Sequence, residues 1–153
     1  MKLNRLTDYA VLVLWRLSQA PKPSEIKVTP SAAQSSENLR VLSAAMISEE
    51  TVVPLPTVSK VLKLLQKQGL LRSIRGVNGG YCLARAAQDI SVADIIEAIE
   101  GPLALTACVE DEGCTHTKLC GMSGNWDFVN QAVLETLRAI SLTNMSPKPL
   151  SFM

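Results

Sequence analysis

The chain has 153 residues, a net charge of +1 and an aromatic content of only 4%. With 47% hydrophobic and 19% charged residues, it has the composition of a folded domain with an aliphatic core, which excludes a disordered chain. The net charge carries no overall basic signature, so nucleic-acid binding would require locally clustered lysines and arginines.

The first predicted element is an amphipathic helix from Thr7 to Ser18, with Thr7 as its N-cap and Asp8 in its first turn. Its apolar residues recur at helical spacing. They are Leu6, Ala10, Val13, Leu14 and Leu17. Because the apolar run is short and Arg16 interrupts it, we interpret it as a buried helix rather than a signal peptide or a membrane span. The expected location is the cytoplasm, where thiols stay reduced.

A stretch rich in proline and small polar residues follows at 21–40. This composition predicts a flexible loop, with a short strand at Glu25–Thr29 as its only regular structure. The loop therefore separates the first helix from the elements that come after it.

Two short helices joined by a tight turn are predicted next. Ser43 is placed to cap the first, and the second runs from Thr57 to Gln68, where Gly69 stops it. The apolar face of the second helix is Val58, Val61, Leu62 and Leu65, and the lysines on its other faces are Lys60, Lys63 and Lys67. This spacing is typical of a helix-turn-helix, whose second helix enters the DNA major groove, and equally of an ordinary helical hairpin.

A β-hairpin follows the second helix directly. Strands are predicted at Leu70–Ile74 and Tyr81–Ala84, and Asn78 with the two glycines after it supplies residues that tolerate positive φ. The arginines at the tip and on the arms of this wing are Arg75, Arg72 and Arg85. Such side chains suit phosphates or the minor groove, although a solvated hairpin with incidental charge is the alternative. Together the helix-turn-helix and the basic wing favour DNA binding.

Two more helices complete the pattern. Ile90–Glu100 is predicted as a helix capped by Ser91 and Asp94 and ended by Gly101. A long helix after Gly124 has an apolar stripe on one face. The stripe is Trp126, Val129, Val133, Leu137 and Ile140. It packs either on the same helix of a partner chain, which gives a symmetric dimer, or back on its own domain. Residues 146–153 are predicted to be a frayed tail.

Three of the four cysteines stand at an even spacing of five intervening residues. They are Cys108, Cys114 and Cys120. The spacing lacks the C-x-x-C pair of structural zinc sites, whereas three thiolates on one long loop suit an iron–sulfur cluster, either 2Fe–2S or 4Fe–4S. For a fourth ligand, Cys82 is better interpreted as a buried thiol in the wing. His116 and Asp8 remain, and Asp8 is also explained as a charge at a helix N-terminus.

Several of these motifs together resemble the Rrf2 family of bacterial winged-helix transcription regulators that carry iron–sulfur clusters. They are MKLNRLTDYAVLVLWRL, PLPTVSKVLKLLQKQGLL, RGVNGGYCLAR, ISVADIIEAIEG and C-x5-C-x5-C. The resemblance covers nearly the whole chain and is most similar to the branch that regulates the SUF iron–sulfur assembly operon. It implies cluster ligation by Cys108, Cys114 and Cys120, DNA contacts by Thr57, Ser59, Lys60 and Arg75, and dimerisation through Trp126–Thr143.

The sequence departs from the family pattern in two places. Residues 21–40 are longer than the usual link between the first two helices. The IscR type has a histidine three residues after the last cysteine, where this chain has Ser123. The NsrR type completes its cluster with an N-terminal aspartate of the partner subunit, and Asp8 matches that position. The resemblance therefore favours Asp8 over His116 as the fourth ligand.

We predict a mainly α-helical fold, a winged helix-turn-helix with a small β-hairpin wing and a long C-terminal dimerisation helix. The predicted organisation is a DNA-binding domain at 1–101, a cysteine segment at 102–123, a dimerisation helix at 124–145 and a tail at 146–153. The predicted DNA-contacting residues are Thr57, Ser59, Lys60, Lys63, Arg72, Arg75 and Asn78.

The predicted function is that of a homodimeric repressor that binds double-stranded operator DNA, senses iron–sulfur cluster status and controls cluster-assembly genes. The alternatives are a zinc- or thiol-redox-dependent winged-helix regulator and an iron–sulfur electron-transfer or carrier protein. Because the chain has a single histidine and no nucleophile–base constellation, we do not expect an enzyme.

Overall fold

The computed structural model describes residues 3–20, 41–106, 109 and 120–145. The helices in these ranges are α1 (Arg5–Gln19), α2 (Ala44–Thr51), α3 (Leu55–Lys67), α4 (Val92–Glu100) and α5 (Ser123–Ala139), and the strands are β1 (Leu71–Ile74) and β2 (Gly80–Leu83). The mainly helical fold with a small hairpin is therefore confirmed. The loop predicted at 21–40, with its strand at Glu25–Thr29, and the tail predicted at 146–153 lie outside the described residues.

Helix α1 begins earlier than predicted, and the prediction of Thr7 as its N-cap is wrong. The cap is Asn4, whose side-chain oxygen accepts a hydrogen bond from the Leu6 N–H at 3.2 Å. Thr7 instead lies inside the first turn and is buried, and its hydroxyl donates to a carboxylate oxygen of Glu100. The predicted apolar face is confirmed, with Leu6 partly buried at its edge. The fully buried members are Ala10, Val13, Leu14 and Leu17.

The predicted cap of α2 is confirmed, since the Ser43 hydroxyl accepts from the Met46 N–H at 3.2 Å. Helix α3 begins at Leu55, two residues before the predicted start. Pro54 occupies the N-cap position and Pro56 the first turn, where a proline loses nothing because the first helical N–H groups have no partner within the helix. The two prolines of the predicted tight turn thus start the helix.

Helix α3 ends where predicted and buries the predicted face. The four apolar side chains of that face, Val58, Val61, Leu62 and Leu65, have no exposed surface. At the end of the helix, Gly69 has a φ of +72°, and the Leu70 N–H donates to the Leu65 carbonyl at 3.0 Å. The Gly69 N–H donates to Gln66 at the same distance, which completes a Schellman motif.

The wing is an antiparallel hairpin in which Leu71 pairs with Leu83 and Ile74 with Gly80. Leu42 adds a bridge to its free edge, because it exchanges two backbone hydrogen bonds of 2.9 and 2.8 Å with Tyr81. At Gly80 a Cβ would lie 2.5 Å from the Leu42 carbonyl oxygen, so this close approach requires glycine. The hairpin is therefore held to the start of the helix-turn-helix.

The turn chemistry of the hairpin agrees with the prediction at Gly80 and differs from it at Gly76 and Asn78. Positive φ occurs at Gly76 (+121°) and Gly80 (+159°) and not at Asn78. The chain reverses through a turn in which the Gly79 N–H donates to the Gly76 carbonyl at 3.0 Å. Asn78 thus lies inside the turn with an ordinary backbone conformation.

The capping box of α4 is confirmed, because Ser91 and Asp94 exchange hydrogen bonds between side chain and backbone. The long C-terminal helix begins at Ser123 and ends at Ala139, so both of its ends come earlier than in the predicted range Trp126–Thr143. A short 3-10 turn follows at Leu142–Met145. The Val92 N–H donates to the Ile140 carbonyl, and the Leu142 N–H to the Ile90 carbonyl, both at 2.8 Å. These bonds stop the helix and hold its carboxyl end on α4.

Candidate DNA-binding surface and cysteine segment

The face of α3 opposite the core carries the predicted DNA-contacting residues. Lys60 and Lys63 are exposed one turn apart, and Thr57 and Ser59 are half-buried nearer the helix start. Because the other face is fully buried, rotation of α3 would expose apolar side chains, so the lysines are fixed in direction. Two ammonium groups on a fixed helix suit contacts to neighbouring phosphates. Contact of these four residues with DNA stays a prediction.

The turn before α3 has a strained backbone. Val52, 89% exposed, has φ +59° and ψ +18°, a left-handed conformation that β-branched residues disfavour. Next to it, Val53 is buried, and its carbonyl accepts a hydrogen bond of 2.7 Å from the Ser48 hydroxyl. Burial of Val53 and this bond fix the turn and hold Val52 in its conformation.

The wing tip projects into solvent. Arg75 and Asn78 are exposed on either side of Val77, which is fully exposed. The wing thus presents a guanidinium, an amide and an apolar side chain on one tight turn. These groups match the positions predicted for DNA contact at Arg75 and Asn78, and that contact stays a prediction.

The other wing arginines are tied to the domain. An Arg72 N–H donates to the Ala84 carbonyl at 3.4 Å, and the Arg85 guanidinium lies 3.8 Å from an Asp94 carboxylate oxygen. Both pairs are solvent-exposed, so the Arg85 pair contributes little stability. Within the described ranges no ion pair involves Arg75, which makes it the wing arginine with the greatest freedom to meet a phosphate.

Within the cysteine segment the structure describes residues 102–106, 109 and 120–123. Cys108, Cys114 and His116 lie outside the described residues, while Cys120 is exposed with a free thiol three residues ahead of α5. The chain that leads into the segment is tied to α5 by one side chain. Asn130 accepts from the Leu105 N–H at 3.0 Å and donates to the Leu103 carbonyl at 3.1 Å. Both ends of the segment therefore attach to α5.

The donors at these ends fit a group bound by thiolates. The Cys120 thiol is unpaired and accessible, and the Thr106 hydroxyl, two residues before Cys108, is buried with no hydrogen-bond partner in the described part of the chain. A hydroxyl in that position is suited to donate to a sulfur atom. Within 3–20, 41–106 and 120–145 no three potential ligands are grouped, and Asp8 is exposed in the first turn of α1. The ligand set stays a prediction.

Cys82 behaves as the buried thiol that the sequence predicts. It is 1% exposed, and its S–H lies 3.8 Å from the Arg72 carbonyl oxygen as a weak donor. Burial raises the pKa of Cys82, and the Arg72 charge lowers it by a smaller amount. The protonated, buried form is a poor metal ligand.

The apolar stripe of α5 divides between two environments. Toward the carboxyl end of the stripe, Leu134, Leu137 and Ile140 pack together against α4 and Leu103. This part therefore packs on its own domain. Toward its amino end, Trp126 and Val129 are each 40% exposed, and Phe128 is 76% exposed. Val133 lies half-buried between the two parts. The amino-terminal half thus leaves an apolar surface uncovered in the single chain.

Two polar residues have buried roles that the sequence analysis did not predict. Thr7 and Asn130 are the buried polar side chains within the described ranges. Asn130 had a visible signal, because it lies one turn after Trp126 on the apolar side of α5, and a polar residue there needs a buried partner. No signal in the sequence pointed to Glu100 as the partner of Thr7, because Glu100 lies at the far end of α4.

Together, a helix-turn-helix with an exposed basic face on its second helix and a hairpin wing define a DNA-binding regulator of the winged-helix class. The chain belongs to the Rrf2 family. The model of this family, described as "Iron-dependent Transcriptional regulator", matches residues 3–148.

Relatives and solved structures agree with this assignment. The HTH-type transcriptional regulator IscR of Xenorhabdus nematophila is 34% identical over 101 residues, which cover 66% of this chain and 62% of that protein. IscR of Photorhabdus laumondii is 33% identical over 101 residues, which again cover 66% of this chain and 62% of that protein. The match therefore spans less than two thirds of the length of these relatives. Both relatives are named as transcriptional regulators and neither as an enzyme.

Among solved structures, T. potens IscR is 28% identical with a TM-score of 0.58, over 95% of this chain and 85% of that one. CymR, the global cysteine regulator of B. subtilis, has a TM-score of 0.61 over 95% of each chain and at 23% identity supports the fold alone. Within the described ranges no helix has the length and apolar character that crossing a membrane requires.

Proposed function

We propose that this protein is a homodimeric cytoplasmic repressor whose affinity for operator DNA depends on an iron–sulfur cluster. The observation that carries the proposal is the position of Cys120. Its free, exposed thiol is the last of three evenly spaced cysteines and stands directly before α5, in a family described as iron-dependent regulators. In this proposal Cys108, Cys114 and Cys120 hold the cluster, with Asp8 as the fourth ligand.

A bound cluster supplies a centre that responds to iron supply and oxidants. The other steps belong to the chain itself. Cys108, Cys114 and Cys120 would hold the cluster between the two attachments of the cysteine segment on α5, at Asn130 and at Cys120. The carboxyl end of α5 is hydrogen-bonded to the start of α4. The winged domain therefore moves with α5 when the angle of α5 changes. In a dimer, that angle sets the separation of the two α3 helices on DNA.

The dimer is proposed to form through the uncovered half of α5. Trp126, Phe128 and Val129 together expose an apolar surface, which a second copy of the same surface buries in a symmetric contact. If Asp8 of one chain completes the cluster of the other, the cluster also joins the two chains. The proposed target genes are those of iron–sulfur assembly, on the resemblance of PLPTVSKVLKLL and GPLALTAC to the SUF-regulator branch.

Anaerobic purification followed by visible absorbance and by iron and sulfide analysis tests the cluster. The wild-type protein is expected to be coloured, with iron and sulfide in matching amounts, and Cys114→Ala is expected to lose both. Asp8→Ala is expected to change the absorbance without abolishing folding. Cys82→Ser is the matched control, because Cys82 is buried in the wing and is not a proposed ligand.

Two results would contradict the proposal. Zinc without sulfide would identify a structural metal site, and a colourless protein after reconstitution would leave the exposed Cys120 thiol as the centre of a thiol-redox regulator. An equal loss of cluster in Cys82→Ser and Cys114→Ala would remove the assignment of the three loop cysteines.

A further inference from the structure

The start of α3 presents an exposed leucine at the end of the helix that meets DNA. Leu55 is the first residue of α3 and is 46% exposed, and it lies outside the packed core of the described residues. It stands one turn before Ser59, so the two side chains leave the helix on the same side. In a helix-turn-helix the first residues of the second helix contact the edges of the bases. Leu55 is therefore placed to contact bases.

The start of α3 offers few hydrogen-bond donors to a ligand. Pro54 and Pro56 have no N–H, and the N-cap position makes no side-chain hydrogen bond. The N–H groups of Thr57 and Val58 both donate to the Pro54 carbonyl, at 2.9 and 3.0 Å. These features remove three of the four N–H groups that a helix start usually offers. The large side chain exposed there instead is apolar, that of Leu55.

The backbone around Leu55 is fixed before any ligand binds. The proline rings on both sides set the φ angles of Pro54 and Pro56. The turn ahead of them is held by the buried Val53, whose carbonyl accepts from the Ser48 hydroxyl. Because this part of the chain is already ordered, a contact made by Leu55 costs little conformational entropy. A rigidly held apolar side chain suits specific recognition of another apolar group.

We infer that Leu55 is a specificity-determining residue that recognises thymine in the operator through the C5 methyl group in the major groove. The inference rests on the DNA binding of the proposed function and not on the cluster. Thymine is the base that presents an apolar group in the major groove. The exposed Lys60 and Lys63, further along the same helix, suit the phosphates beside that groove. An apolar protein partner would not require these neighbouring charges.

The test compares two duplexes of the protein's own promoter DNA. One contains thymine and the other contains deoxyuridine in its place, which lacks only the C5 methyl group. Fluorescence anisotropy gives the ratio of the two dissociation constants for each protein. The wild type is expected to bind the thymine duplex roughly tenfold more tightly, because burial of one methyl group in each half-site is worth about fourfold. Leu55→Ala is expected to lower this ratio to about twofold or less, because it removes the apolar surface that covers the methyl group.

The controls separate the leucine side chain from the DNA and from folding. Uracil also alters the shape of the duplex, but every protein meets the same two duplexes, so a change in the ratio reports the side chain. Leu12→Ala removes an exposed leucine from α1 and is expected to keep the wild-type ratio. Lys63→Ala is expected to weaken binding to both duplexes by the same factor. Leu55→Met keeps an apolar side chain of similar volume and is expected to retain most of the discrimination. Circular dichroism checks the fold, and Leu55→Gln takes the place of Leu55→Ala if the alanine variant does not fold.

The outcomes are distinct. A lower ratio in Leu55→Ala, with the wild-type ratio in Leu12→Ala and Lys63→Ala, supports the inference. An unchanged ratio in the folded Leu55 variant overturns it and assigns the exposed side chain to a partner other than DNA, while the proposed function stands. Equal binding of both duplexes by the wild type also overturns it. A wild-type protein that binds neither duplex fails the proposed function and the inference with it.

Discussion

The Thr7 hydroxyl donates a hydrogen bond of 2.6 Å to Oε1 of Glu100, and the same oxygen accepts from the Asn4 N–H at 2.8 Å. One carboxylate from the end of α4 thus satisfies a free backbone donor and a buried hydroxyl at the start of α1. Asp8 is adjacent to Thr7, and the chain after Glu100 leads toward the cysteine segment. This contact therefore joins the two parts of the chain that carry the proposed cluster ligands.

Glu100→Ala is expected to lower the free energy of unfolding of the cluster-free protein by about 1–2 kcal/mol, because it leaves the buried Thr7 hydroxyl without its partner. Glu100→Gln, which keeps an acceptor oxygen, is expected to lose less. Urea denaturation measures both, with Glu49→Ala on the exposed face of α2 as the control. Equal stability of Glu100→Ala and Glu49→Ala would show that the contact carries no stability.

Val52→Gly is expected to stabilise the protein by about 0.5–1 kcal/mol. The left-handed conformation costs valine roughly 1–2 kcal/mol, of which the extra flexibility of glycine in the unfolded chain offsets a part. The matched control is Val77→Gly, another exposed valine, whose φ is negative and which is expected to gain nothing. Thermal or urea unfolding measures the free energy of unfolding of each variant relative to the wild type. A loss of stability in Val52→Gly would contradict the claim that the Val52 backbone is strained.

Lys60→Ala, Lys63→Ala and Arg75→Ala are each expected to weaken DNA binding on specific and unrelated sequences alike. Each is also expected to reduce the slope of log affinity against log salt concentration by about 0.9, if each side chain contacts one phosphate. Fluorescence anisotropy over a range of salt concentrations measures the slope. Arg138→Ala removes the same charge from the exposed last turn of α5 and is expected to leave the slope unchanged. An unchanged slope in all three variants would place the DNA elsewhere.

Val129→Asp is expected to raise the dimer dissociation constant by roughly thirtyfold or more, because it puts a charge at the centre of the proposed apolar contact. Analytical ultracentrifugation measures the constant, and Val77→Asp, with the same change on the wing tip, is the control. A wild-type protein that is monomeric at micromolar concentration, or a Val129→Asp dimer as stable as the control, would exclude this surface.

The parts of the fold that sequence predicts well are those that neighbouring residues decide. The buried face of α3, its stop at Gly69 and the capping box of α4 all depend on residues within one or two turns. The parts that failed depend on distant ones. Asn4 rather than Thr7 caps α1 because Glu100, 93 residues from Thr7, takes the threonine hydroxyl. Helix α5 stops at Ala139 because the residues after it bond to the start of α4.

The candidate site divides in the same way. The sequence places the lysines of α3 on the exposed side, because the apolar period fixes which side is buried. It also predicts that Cys82 is buried, because alternate residues of a strand face inward. It does not predict the split of the α5 stripe, in which Leu137 packs on α4 while Trp126 stays uncovered. That outcome depends on the angle between two helices, which periodicity does not contain.

The most direct test of the central claim compares the affinity of cluster-loaded and cluster-free protein for its own promoter DNA. Both forms are measured anaerobically at one salt concentration by gel shift, with Cys114→Ala as a second cluster-free sample. We predict that the affinities of the loaded and cluster-free wild-type protein differ by tenfold or more, and that Cys114→Ala matches the cluster-free wild type. Equal affinity of the loaded and cluster-free forms would contradict the claim that the cysteine segment controls DNA binding.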